Sequence, residues 1–130
     1  MTRVINIEDE LSRLTVLEGR TVETPLSEEQ PAFAELGTIG GSEIFVGSFS
    51  GESPWERHNN GNELVHILKG DTTLTIMMQT GPRAFEAKAG EFIVVPAGHW
   101  HRFHAPDGVT VMTVTPAPTE HSAAKDPRDS

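Results

Sequence analysis

A chain of 130 residues is long enough for one domain around a single hydrophobic core, and 36% hydrophobic with 22% charged residues suits a water-soluble globular fold. The absence of cysteine excludes disulfides, thiolate metal sites and cysteine nucleophiles. A net charge of −9 with scattered Lys and Arg argues against nucleic acid or an anionic membrane as partner. No apolar run is long enough to span a bilayer. The start, MTRVINIEDE, lacks the basic-then-apolar profile of a secretory signal, so the expected location is cytoplasmic.

Along the chain, NIEDELSRLTVLEG reads as a short helix. Asn6 can cap it, Glu8 and Asp9 suit the positive end of the dipole, and Ile7, Leu11 and Leu14 recur at i, i+4, i+7. Gly19 is the expected stop, and ETPLSEEQP follows as a polar connector. From about Ala32, short apolar or alternating runs recur: AFAELG, EIFVGSF, ELVHILKG, TTLTIMM, EFIVVPAG, WHRFHA and VTVMTVT. Turn residues separate them, in GG, GESP, NNGN, KGD, TGPR, KAGE, PAG and APDG. Closely spaced strands without helical pattern predict an all-β sandwich or barrel. The tail PAPTEHSAAKDPRDS is expected to be flexible. The division is thus 1–31 helix and connector, 32–116 barrel, and 117–130 tail. Leu74, Ile76, Phe92, Val94, Val109 and Val111 are the expected core.

The chemistry is concentrated in PWERHNNGNELVHILKG, residues 54–70. In an extended strand Glu56 and His58 share a face, and NNGN can return the chain so that Glu63 joins them from a neighbouring strand. Parity then carries Val65 and Ile67 inward and puts Leu64, His66 and Leu68 outside. In GEFIVVPAGHWHRF, His99, His101 and Phe103 share parity, so His101 can enter the same cavity. Two carboxylates and two imidazoles meeting there would repel or share protons unless a divalent cation balances them.

These two stretches resemble the signature motifs of the cupin superfamily. The first motif, His-x-His, three or four residues, Glu, six residues, Gly, falls on Glu56, His58, Glu63 and Gly70. The second, Gly, five residues, Pro-x-Gly, two residues, His, three residues, Asn, falls on Gly90, Pro96, Gly98, His101 and Ala105. The resemblance extends from about Ile44 to Thr115. It implies a double-stranded β-helix, or jelly-roll barrel, preceded by the short N-terminal helix. It also implies that His58, Glu63 and His101 match three metal ligands. Glu56 stands in the fourth ligand position in place of His, Ala105 in place of Asn, and the Gly opening the first motif is displaced to Gly51.

The donor set His58, Glu63 and His101 is that of a facial triad suited to Fe(II). With Glu56 added, the shell becomes harder and more anionic, favouring Mn(II), Fe(II) or Zn(II). Glu56 can instead stay off the metal as a general base, or be an ordinary surface carboxylate after Trp55, marking a barrel that has lost its metal. His99 is expected at the entrance or behind a ligand, His66 on the outer sheet face, His104 outward, and His121 solvated in the tail. Val65, Ile67 and Phe103 are expected to give the cavity an apolar wall, which is the usual make-up of a small-molecule site. The expected function is a metalloenzyme acting on a small organic molecule, first of all a dioxygenase. The alternatives are a metal-dependent isomerase or lyase, and a non-catalytic module that senses or carries a ligand. Small cupins commonly dimerise, and Leu64, His66 and Leu68 offer a surface for a homodimer.

Overall fold

The computed structural model describes residues 2–129, and most of them are in strands. The N-terminal helix α1 spans Ile7–Ser12, capped by Asn6, whose Oδ1 accepts from the Asp9 amide at 3.0 Å. It stops well before Gly19. Thr15 and Val16 are β-branched, and Leu17–Arg20 forms strand β1, parallel to β3. Gly19 lies inside β1 with φ of +63°. The connector is also ordered, as a short helix α2, Leu26–Glu29, followed by a 3-10 turn over Gln30–Ala32.

The barrel strands are β2 Phe33–Ile39, β3 Ser42–Glu52, β4 Trp55–Arg57, β5 Glu63–Met78, β6 Gly81–Lys88, β7 Phe92–Val95 and β8 His101–Pro116. All join one curled sheet. The long strands β3, β5 and β8 carry it: β8 pairs antiparallel with both of the others, β1 and β2 add to β3, and β6 and β7 add to β5.

KGD and APDG do not separate strands. β5 and β8 run through them, with pairing irregularities between Ile67 and Thr73. Gly70 shows why. Its φ is +74°, and a Cβ there would overlap the Gly108 carbonyl, so the two strands bend together in contact.

Alternation follows parity. Glu63, Val65 and Ile67 are buried while Leu64, His66 and Leu68 are half-buried. Val65, Ile67, Leu74, Ile76, Phe103, Val109 and Val111 form the core with Phe49 and Ala105, each large side chain contributing roughly 1.5–3 kcal/mol of burial. A second small cluster joins Trp55, Met77 and Trp100.

Phe92 and Val94 depart from expectation. They are 63% and 45% exposed, because they share the outer face with their pairing partners His66 and Leu64. The C-terminal segment is not a loose tail: Glu120–Ser122 forms strand β9 against β4, and Pro127 is buried. No helix among the described residues is long and apolar enough to cross a membrane.

Candidate metal centre

β4 is short, and its cross-strand pairs set the site. Glu56 lies opposite His101 of β8 on one side and His121 of β9 on the other. Directly opposite residues project to the same face of a sheet. His58 follows β4 at once. Its carbonyl accepts from the Gly98 amide at 2.9 Å, while Asn62 Oδ1 accepts from the Ala97 amide at 2.9 Å. The PAG turn therefore locks onto the start of the first motif, bringing His101 to Glu63 at the head of β5.

The three predicted ligands meet. One ligand atom each from His58, Glu63 and His101 lies within 4.8 Å of the others, and all three residues are buried. Glu63 Oε1 is 3.0 Å from His101 Nε2 and 3.4 Å from His58 Nε2. Neither contact is aligned as a hydrogen bond, so all three atoms are buried without a hydrogen-bond partner. Orphaned buried polar atoms are costly, and three converging on one point suit a cation.

The atoms facing away are all held. Thr119 Oγ1 lies 3.1 Å from His58 Nδ1, and His101 Nδ1 donates to the His99 carbonyl at 3.0 Å. That bond leaves the lone pair of His101 on Nε2, facing the cluster. Thr115 Oγ1 donates to Glu63 Oε2 at 2.6 Å and is itself 2.9 Å from Thr113 Oγ1.

Burial would lift the Glu63 carboxyl, but the adjacent rings of His101 and His58 outweigh it and hold the group at about 2. Burial also works against a charged His101, and Glu63, supported by Glu56, overcomes it and raises the ring above its usual value. In the metal-free cluster the two groups thus favour each other's charged forms.

Glu56 enters the same cavity but does not belong to the three-atom cluster. Its Oε2 lies 3.5 Å from His121 Nε2. Burial raises Glu56, yet His121 and the charge of His101 together bring it below the ordinary carboxylate range. Glu56 in turn raises His121. His121, expected in solvent, is half exposed but tied to the cavity by β9.

His99 sends its ring to an outer depression beside Arg57 and Trp100 and reaches the site only through its carbonyl. His104 faces out, 3.7 Å from Glu52. His66 is half-buried on the outer face.

The cavity, about 350 Å³, is walled by Phe33, Phe45, Phe49, Phe103 and Val111. Val65 and Ile67, expected on that wall, are fully buried in the core instead and do not line the cavity. Sequence reasoning missed Thr119, Thr115 and Arg20. The first lies in the supposed tail, the second in an unremarkable alternating strand, and Arg20 outside the motifs.

Residues 49–116 match the family model described as the cupin domain. Among solved structures, a cupin-2 domain containing protein of Shewanella frigidimarina is similar at 20% identity and a TM-score of 0.65, over 88% of this chain and 95% of that one. A hydroquinone 1,2-dioxygenase in complex with Cd2+ and 4-hydroxybenzonitrile is similar at 17% identity and 0.55, over 65% of this chain and 63% of that one. The oxalate decarboxylase of Bacillus subtilis is similar at 13% identity and 0.58, over 68% of this chain and 26% of that one. Comparison with the curated proteins finds no match.

Proposed function

The chain belongs to the cupin family, and on that footing we propose that it is a metal-dependent enzyme acting on a small organic molecule, in the first reading an oxygenase. The observation that carries this is the convergence of three buried atoms that have no hydrogen-bond partner, His58 Nε2, Glu63 Oε1 and His101 Nε2. Two imidazoles and one carboxylate fit Fe(II), Mn(II) or Zn(II) and leave coordination positions for substrate or water. A divalent cation supplies Lewis acidity there and, as Fe(II), the redox chemistry that oxygen requires.

His58, Glu63 and His101 hold the ion, and Thr119, Thr115 and the His99 carbonyl orient them. The phenylalanine wall excludes water. Glu56 works as the group that takes or gives a proton, positioned by His121. That same pair favours a second reading, an isomerase or lyase, in which proton transfer between substrate atoms is the chemistry. The likeness to a dioxygenase and to a decarboxylase supports a catalytic barrel without choosing between them. The exposed face of β7, β5 and β8 is proposed as the contact of a homodimer.

Elemental analysis of untagged protein tests the metal reading. Near-stoichiometric metal is expected in the wild type and its loss in His58→Ala and His101→Ala. Sub-stoichiometric metal unchanged by both substitutions would sink it. With metal present, oxygen uptake against phenols, thiols and keto acids separates oxygenase from isomerase or lyase. A silent panel together with no substrate conversion leaves a ligand-binding module.

A further inference from the structure

The cavity holds a cation that the metal reading does not use. Arg20 is 5% exposed and lines the cavity with four of the chain's six phenylalanines, Phe33, Phe45, Phe49 and Phe103. Its guanidinium carbon lies 4.9 Å from the Phe49 ring centroid and 5.6 Å from that of Phe33. The backbone is built to put it there. Gly51 pairs with Arg20, has φ of +101°, and a Cβ on it would overlap the Arg20 carbonyl.

Glu29 occupies only one edge of the guanidinium, accepting from Nε at 3.3 Å and Nη2 at 2.8 Å. Nη1 makes no hydrogen bond to the described residues. Arginine offers five donors in a planar fork, so part of this one is unspent on a wall that combines four phenylalanines with polar groups. Donors that line the cavity without a partner in the protein are open to an acceptor on a ligand. A planar anion meets such donors with two parallel hydrogen bonds.

The rings define the rest of the ligand. Phe49 and Phe103 meet edge to face at 5.4 Å and 81°, with Phe33 6.0 Å from Phe49, an arrangement suited to hold a further aromatic ring. Charge does not oppose an anion. With a 2+ ion in place, the carboxylates of Glu29, Glu56 and Glu63 balance the ion and Arg20 together.

We propose that the cavity takes a small aromatic carboxylate, its ring among the phenylalanines and its carboxylate on the free edge of Arg20, which makes Arg20 the specificity-determining residue. This rests on the reading of the cavity as the substrate site. It extends that reading by naming the substrate class.

Titration calorimetry of the full chain with benzoate and its neutral isostere benzamide tests it, in wild type, Arg20→Gln and Glu29→Gln, each with and without metal. The wild type should bind benzoate at least about tenfold more tightly than benzamide. Arg20→Gln should abolish that preference by weakening benzoate far more than benzamide. Glu29→Gln, which frees the occupied edge, should widen it, and this variant decides the matter if Arg20→Gln fails to fold. The preference should be largest with metal in place, because without it the carboxylates of Glu29, Glu56 and Glu63 outnumber the guanidinium.

A preference that persists in Arg20→Gln and disappears with the metal would place the carboxylate on the ion and overturn the proposal. So would equal affinity for the two probes, no benzoate binding at millimolar concentration, or a preference unmoved by Glu29→Gln. Failure of the metal reading shows separately, as metal content unchanged in His58→Ala, whatever the benzoate ratio.

Discussion

Glu63 meets both imidazoles through Oε1 and the Thr115 hydroxyl through Oε2. One carboxylate is therefore the counter-charge of both imidazoles in the metal-free cluster and, in the proposed loaded site, the anionic donor. The pH consequences have definite signs. In the metal-free protein Glu63 titrates at about 2, so its contribution to stability is present above the unfolded value near ~4.3 and is lost as pH falls toward 2. His101 is raised, so its contribution is full below the unfolded value near ~6.5 and is lost as pH climbs through the elevated folded one. These are one interaction seen from its two ends.

Thermal unfolding of metal-free protein from about pH 5 to about pH 9 should therefore show a fall on the alkaline side that His101→Gln flattens. A metal on His101 Nε2 would also compete with the proton that Glu63 favours there. Calorimetry in two buffers of different protonation enthalpy should report proton release on metal binding that diminishes in His101→Gln. Release unchanged by that substitution would mean that His101 is not a ligand. The convergence of His58, Glu63 and His101 was legible from motif spacing. The contact of Glu56 with His121 was not, because His121 comes from another part of the chain.

At the scale of elements, β9 shows how a strand can be invisible in sequence. EHS has no alternation and lies among Pro, Ala and Ser, so local propensity gives no signal. Its order comes from outside: three residues pair with β4, Arg57 bonds Glu120 at 2.9 Å, and Asn60 Nδ2 donates to the Ala117 carbonyl at 2.9 Å. The strand brings Thr119 behind His58 and His121 beside Glu56.

The two side chains should separate experimentally. Thr119→Val should weaken metal binding about 10–100-fold, as loss of a group orienting a metal ligand does. His121→Gln should keep the metal and lower turnover. Metal affinity by competition with a chelator, set beside the steady-state rate, checks both; equal effects on the two quantities would contradict this division. Long β5 and β8 were misread for the opposite reason. Gly70 and Gly108 look like turn residues, and only the close crossing of the two strands shows that they serve a bend.

For the whole molecule, the exposed apolar face is the feature left unbalanced. Phe92 and Val94 of β7 sit beside His66 and Leu64 of β5, which pair in turn with Met112 and Val114 of β8. Contiguous apolar surface of this kind marks an association site more often than chance exposure. If two copies pair here, Phe92→Glu should convert dimer to monomer in sedimentation velocity without loss of metal. A wild type that is monomeric at high micromolar concentration would remove the homodimer from consideration.

By itself the sequence determined the all-β class, the cupin resemblance and the convergence of His58, Glu63 and His101, because strand parity and motif spacing are local properties carried by side chains along each strand. Only the tertiary structure decided that Glu56 faces His121 rather than joining the three-atom cluster. It also decided that Val65 and Ile67 are core while four phenylalanines form the cavity wall, and that Arg20 reaches that wall. Each of these depends on which distant strand lies alongside, and pairing across dozens of residues is set by the packing of the whole barrel.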